Sequence, residues 1–351
     1  MIAGHGEAMQ KLGVGVLGVG EMGRRHAQNL RRLVPQAQLL AVADIAGERA
    51  RQVADELEIE NSFGSLQAML ECKGLDAVVI ATPERLHPAA VKMAAAAGKD
   101  ILCEKPLALT LAEAHELLSA VSKAGVRLQV GFMRRYDPAY AAAMRRIEAG
   151  EIGVPVVFKS VGRDKDGPPL SAYQTNVNGM LFYTNTIHDF DLARWLMRDE
   201  VCEVHAYTTS TIRPEVAQFG DVVASVVNLK FGQGAIGNIE SHAQAAYGYD
   251  VRTEIVGSKG SILIGSFNRM PATLLTAQGS TQPIADYFLT TFADAYLAEM
   301  QDFVECILQD RLPRVSGEDG LRALAIAVAA EKSHLQGKAM KVSLGSSAAA
   351  S

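Results

Sequence analysis

Leu12-Gly13-Val14-Gly15-Val16-Leu17-Gly18-Val19-Gly20-Glu21-Met22-Gly23 decides how the first half of this chain folds. The first six residues read as a buried strand. Gly18, Gly20 and Gly23 then form G-x-G-x-x-G where the chain turns into a helix beginning near Glu21. In that setting the first glycine permits the tight turn, the second admits a pyrophosphate to the backbone, and the third lets helix and strand pack closely. Amides at the helix start hold the anion. Asp44 ends the next strand, 21 residues after Gly23. A carboxylate there accepts hydrogen bonds from ribose hydroxyls and repels a 2′-phosphate, which favours NAD over NADP. A loop-opening or helix-capping acid is the other use of Asp44.

Working outward, nearly all-apolar runs at 39–44, 76–81, 100–105 and 127–132 alternate with helical patterns at 47–57, 87–98 and 111–125. Such alternation signals a doubly wound α/β domain, a parallel sheet covered on both faces. Past about residue 150, strands at 154–163, 202–211, 222–231, 235–244, 251–257 and 261–265 follow in near succession, several alternating polar and apolar. These predict an α+β half with a large, mostly antiparallel open sheet. Its helices are expected after His188, from about Tyr287 to Leu308, and from about Asp319 to His334. The expected division is 1–132 for the cofactor and 133–351 for substrate and oligomerisation.

Length and composition agree, since 351 residues allow roughly two domains and 48% hydrophobic content suffices for their cores. With 34 Lys plus Arg against 39 Asp plus Glu, the net charge of −5 lacks the basic field that a nucleic acid requires. Cys72, Cys103, Cys202 and Cys306 lie at least 31 positions apart, which fits reduced thiols rather than a metal clip or a disulfide scaffold. The eight histidines show no recognised metal-ligand spacing, so no metal is expected. No apolar run suits a membrane span, and MIAGHGEAMQ at the start does not resemble a signal peptide, so the expected location is the cytoplasm.

Cys103-Glu104-Lys105-Pro106 follows the strand at 100–105. Carboxyl ends of strands in such a sheet open onto the ligand crevice, which directs Lys105 toward cofactor or substrate. A solvated lysine before a proline is an equal alternative. Around His188, TIHDFDLARWL (186–196) reads as a turn entering an amphipathic helix, with Asp189 and Asp191 as first-turn acids complementing the helix dipole.

With ATPERLH (81–87), CEKPLALT (103–110), GFMRRYDPAY (131–140), TIHDFDLARWL (186–196), YGYDVRTEIVGSKG (247–260) and FADAYLAEMQDFV (292–304), the chain resembles the glucose-fructose oxidoreductase/inositol dehydrogenase/rhizopine catabolism (Gfo/Idh/MocA) family, and most of all its inositol 2-dehydrogenases. The resemblance covers nearly the whole chain. It implies a Rossmann domain for NAD, Lys105 contacting a substrate alcohol, and His188 as general base. An imidazole suits that task, with a reference pKa of ~6.5. Together with the residue readings it assigns Gly18, Gly20, Glu21, Met22, Gly23, Asp44, Thr82, Pro83, His87, Glu104, Lys105, Met133 and Arg134 to the cofactor. Lys105, Arg163, Asp164, Thr184, Asn185, His188 and Tyr247 go to the substrate. Arg135 reads as a surface or salt-bridge residue, and Tyr296 and Glu299 as structural, sharing one helix face.

Inositol dehydrogenases usually carry an aspartate four positions before this histidine, where this chain has Thr184. Threonine cannot supply that negative charge. Asp164 is the candidate replacement, with a solvated loop acid as the equal alternative. The expected reaction is reversible NAD-dependent oxidation of a secondary hydroxyl on a cyclic polyol or sugar. The alternatives are a lyase or glycosidase acting through transient oxidation, and a non-catalytic sugar or NAD sensor. A homo-dimer or homo-tetramer formed through the open sheet is implied by the resemblance.

Overall fold

A computed structural model describes residues 11–173, 179–265, 273–281 and 287–345. In chain order the first elements are β1 (Leu12–Leu17), α1 (Glu21–Arg32), β2 (Ala37–Ala43), α2 (Gly47–Leu57), β3 (Asn61–Phe63), α3 (Leu66–Leu70), β4 (Ala77–Ile80), α4 (His87–Ala96), β5 (Asp100–Cys103), α5 (Leu111–Ala124) and β6 (Leu128–Val130). There follow α6 (Pro138–Glu148), β7 (Pro155–Arg163), α7 (Leu170–Tyr173), α8 (Ile187–Met197), β8 (Val201–Thr209), β9 (Ala224–Phe231), β10 (Ile236–His242), β11 (Asp250–Gly257) and β12 (Ser261–Ile264). The chain continues through β13 (Leu274–Thr276), β14 (Gly279–Thr281), α9 (Phe288–Thr291), α10 (Ala293–Leu308), α11 (Gly317–Gln336) and β15 (Met340–Lys341).

Two compact units result. The first comprises residues 11–108, 113–131 and 296–317. Its six strands lie in the order β3-β2-β1-β4-β5-β6, and every pairing is parallel. That is the doubly wound order of a dinucleotide fold, with the topological switch between β1 and β4. All six residues of β1 are buried, as its unbroken apolar run requires. β3 and α3 went unread in the sequence because Asn61-Ser62-Phe63 is too short and too polar to carry a strand signal. Met300, Phe303 and Val304 of α10 lie in the same core as Val14, Val16 and Val42, so a helix late in the sequence completes the first unit.

The second unit holds residues 132–295 and 318–345 together with Leu109–Ala112. Its sheet runs β12-β11-β7-β10-β9-β8-β15, antiparallel throughout except for the β7–β10 pair. On β9, Val227, Leu229 and Phe231 point inward and Val226, Asn228 and Lys230 outward, the period-2 pattern of a sheet covered on one face. The helix expected over Tyr287–Leu308 is interrupted: α9 ends at Thr291, and α10 starts at Ala293 after the non-helical Phe292. No helix among the described residues is long and apolar enough to cross a membrane.

Phe303 is fully buried in the first unit's core. Phe303→Ala should lower unfolding stability by about 3–5 kcal/mol in urea titrations and speed amide exchange in β1 and β2, because the cavity opens within their core.

Candidate active site

In the first unit the glycine turn has the geometry that its spacing predicts. Gly18 sits at φ +81°, and a Cβ there would meet the Ala81 carbonyl oxygen at 2.7 Å. At Gly23 a Cβ would fall 1.8 Å from the Gly18 carbonyl oxygen, so α1 packs against the turn only because both residues lack side chains. Gly20 differs: among the described residues nothing lies within 4 Å of a Cβ placed there. It is the N-cap of α1 and has no side chain of its own to cap the helix amides that follow. Open space over the start of a helix is what a pyrophosphate needs, so this turn fits a dinucleotide.

Asp44 serves the turn itself. Its carboxylate accepts from the backbone N–H of Val19 at 3.0 Å and of Ala46 at 2.9 Å, and Arg49 pairs with it at 3.3 Å. Thr82 and Pro83 follow β4, which pairs with β1, and Glu104 and Lys105 follow β5, the next strand along, so both segments leave the carboxyl ends of neighbouring strands. The Lys105–Pro106 peptide is cis. His87, assigned to the cofactor by the resemblance, is buried with Nδ1 2.8 Å from the Pro106 carbonyl oxygen and Nε2 2.8 Å from that of Thr82, tying the two segments together. Burial lowers its pKa against the opposing pull of the two carbonyls.

In the second unit, the candidate residues gather around the start of α8. A π-helical turn, Phe182–Thr186, leads into that helix. His188 is buried in its first turn, edge-on to Phe132 with ring centres 6.0 Å apart. Thr184 donates its hydroxyl to the Met180 carbonyl at 2.9 Å. The neighbouring Asn185 donates its amide to Asp164 Oδ2 at 2.7 Å. Arg163, at the end of β7, pairs with Glu240 and donates to the Tyr247 hydroxyl at 2.6 Å, and Tyr247 donates to Asp250 at 2.6 Å. Gly162 makes this crowding possible, since a Cβ there would lie 2.9 Å from Asp189 Oδ2 and 3.3 Å from Asn185 Oδ1.

The two α8 acids do more than complement a helix dipole. Asp189 is fully buried and accepts from Arg134 at 2.9 Å and from Ser160 at 2.5 Å, while Asp191 takes both arms of Arg135. Burial works against the charge of Arg134, but Asp189 together with Tyr249 and Tyr140 outweighs it, and the guanidinium pKa rises. Arg134 and its buried neighbour Met133, both read as cofactor contacts, thus lie in the second unit, with the Arg134 guanidinium held by Asp189. Nothing in one sequence matches Arg134 to an acid 55 positions away, so this pairing had no local signal.

A model of this oxidoreductase family's NAD-binding Rossmann fold matches residues 12–132, and that of its C-terminal alpha/beta domain matches 144–344. The chain belongs to the glucose-fructose oxidoreductase/inositol dehydrogenase/rhizopine catabolism family. Within it, the chain is 41% identical over 322 residues to scyllo-inositol 2-dehydrogenase (NAD(+)) of Bacillus subtilis, covering 92% of this chain and 94% of that one. It is 36% identical over 330 residues to myo-inositol 2-dehydrogenase of Thermotoga maritima, covering 94% and 98%. Among solved structures, scyllo-inositol dehydrogenase from Lactobacillus casei, with bound NAD(H) and scyllo-inositol, superposes with a TM-score of 0.90 at 27% identity, over 95% of this chain and 99% of that chain. This family member is therefore an oxidoreductase with an NAD-binding Rossmann fold.

The glycine geometry separates folding from binding in this family member. Gly20→Ala should leave the melting temperature nearly unchanged and weaken NAD at least about tenfold, the equivalent of 1.4 kcal/mol, in a fluorescence titration. Gly23→Ala should instead destabilise the fold, because its methyl group collides with backbone.

Proposed function

We propose that this protein is an NAD-dependent inositol dehydrogenase that oxidises one secondary ring hydroxyl to a ketone, reversibly. The observation that supports the reading is the Asp164 carboxylate held by the side-chain amide of Asn185, three positions before His188, since it offers a negative charge on the segment leading into the His188 helix. Similarity to inositol 2-dehydrogenases over more than nine-tenths of the chain supports the same substrate class. Other cyclic polyols and sugars share the vicinal hydroxyls that such a site would read.

In this reading His188 takes the proton of the hydroxyl and Lys105 polarises and orients its oxygen. Bound NAD would supply the hydride acceptor for the carbon that bears this hydroxyl. Asp164 supplies the negative charge that favours a protonated partner during proton transfer, with Asn185 fixing its orientation. Arg163 is tied to Glu240, Tyr247 and Asp250, and with its guanidinium so engaged a neutral polyol suits this unit better than a phosphorylated one. The protein would work in the cytoplasm, where its four thiols stay reduced.

The test is NADH production with scyllo-inositol, myo-inositol, glucose and glycosides. Turnover of an inositol is expected, falling at least about a hundredfold in His188→Ala and in Lys105→Ala, within the range of general acid–base contributions. Asp164→Asn should reduce kcat while leaving NAD affinity intact. Retained NAD without net NADH release would favour the lyase reading, and absence of turnover on every polyol would overturn the dehydrogenase reading.

The outer face of the second sheet carries Tyr207, Val226, Ile236 and Leu263 exposed among Asn228, Lys230 and Asn238. A homo-dimer or homo-tetramer would cover these apolar side chains. Light scattering should report such an assembly, and Val226→Glu with Ile236→Glu should shift it toward monomer.

A further inference from the structure

Below the Lys105 segment lies a buried trio that the proposed reaction does not use. His26 on α1, Glu104 after β5 and Glu299 on α10 all belong to the first unit, and their nitrogen and oxygen atoms lie within 4.8 Å of one another. His26 Nε2 is 2.7 Å from Glu104 Oε1, while Glu104 Oε2 accepts the backbone N–H of Lys105 at 3.2 Å. Gly131 leaves room for this carboxylate, since a Cβ there would lie 3.0 Å from Glu104 Oε2. Glu299 is fully buried, and neither of its oxygens has a hydrogen-bond partner among the described residues. Its backbone carbonyl accepts from Gln129 of β6 at 3.3 Å, and Tyr296, one turn earlier, sets its ring edge against His26.

Two ionised carboxylates cannot share so small an apolar space, and an isolated buried charge is costlier still. Burial pushes the Glu299 carboxyl well above the usual range, and Glu104 and Asp302 push it the same way. For Glu104, burial is outweighed by the hydrogen bond and charge of His26 and by the charges of Lys105 and His87, and its pKa falls. The groups facing Glu299 are therefore His26 from α1, Glu104 with Lys105 beyond it from the β5 end, and Asp302 from its own helix.

We propose that Glu299 is a positioning residue for Lys105: a buried neutral carboxylic acid that leaves Glu104 as the one negative charge of the trio, free to hold the Lys105 backbone. Ionisation of Glu299 would place a second negative charge against Glu104 and displace the segment that carries Lys105. The inference concerns the lysine of the proposed dehydrogenase, so it rests on that reading for its catalytic meaning. Its tests need no inositol turnover.

A group whose folded pKa lies above its unfolded value contributes stability that is complete below the unfolded glutamate pKa of ~4.3 and is lost as pH rises through the folded value. Glu299→Gln copies the neutral acid and does not titrate. The variant should therefore melt about 2 °C or more above the native chain at neutral and alkaline pH, with the gap closing as pH falls toward the ordinary carboxylate range. NAD affinity of the native chain should weaken several-fold on the alkaline side, and that of Glu299→Gln should not. The infrared spectrum of the native protein at neutral pH should contain a protonated-carboxyl band that the variant loses. Absence of that band in the native protein overturns the proposal however the variant behaves. A variant that melts below the native chain at neutral pH would show an ionised, paired Glu299, and an alkaline loss of NAD shared by both proteins would remove its positioning role. Stoichiometric zinc or manganese in the purified native protein, lost in Glu299→Gln, would make the trio a metal site and overturn the proton assignment. Inactivity on inositols with these three signatures intact would instead fail the dehydrogenase reading alone.

Discussion

The contact on which most of the first unit depends is the approach of α1 to the turn before it. A side chain at Gly23 would stand inside the Gly18 carbonyl, so helix and strand meet backbone to backbone. That closeness does two things. It opens the start of α1 past Gly20 into space among the described residues that would suit an anion favoured by the helix dipole. It also carries His26, one helical turn beyond Gly23, to within 2.7 Å of Glu104. The same helix thus begins at the open glycine turn and reaches the Lys105 segment one turn later.

The second unit depends on a different device. Its α8 begins in a π-helical turn and carries two acids that are buried and matched to two consecutive arginines, Arg134 with Asp189 and Arg135 with Asp191. Buried ion pairs of this kind add little net stability against an apolar replacement, but breaking one partner costs several kcal/mol, on the order of 3–5. Such pairs fix an orientation. Here they seat the helix whose first turn bears His188, and Ser160 and Gly162 on β7 adapt to it by a hydrogen bond and by the lack of a side chain. Specific geometry around His188 therefore comes from residues that touch neither proton nor hydride in the proposed reaction.

What could be read without coordinates followed from local physics. β1, β2, β4 and β5 announce themselves as short apolar runs, and the glycine turn by spacing, because burial on both sheet faces and a steric limit at the backbone each leave a mark within a dozen residues. β3 left none, being three residues long and partly polar. The interruption between α9 and α10 at Phe292 was equally silent, since an aromatic residue is compatible with either a helix or a break. Nor does the sequence around His87 show that both its ring nitrogens face backbone carbonyls, one of them 19 positions away.

By itself, then, the sequence determined a dinucleotide fold followed by an α+β half, the glycine turn with Asp44, and the family to which Lys105 and His188 point. Tertiary structure alone decided which distant groups meet. It brought Glu299 from α10 under Glu104, Asp164 to Asn185, and Asp189 to Arg134, across separations of 195, 21 and 55 positions. The physical reason is that periodicity and backbone sterics act between near neighbours, whereas the pairing of buried charges is settled by whichever polar groups the packed core encloses together. Glu299 illustrates the difference most sharply. On its helix it is one acid sharing a face with a tyrosine, and only in the folded core does it become a carboxyl group with no room for a second charge.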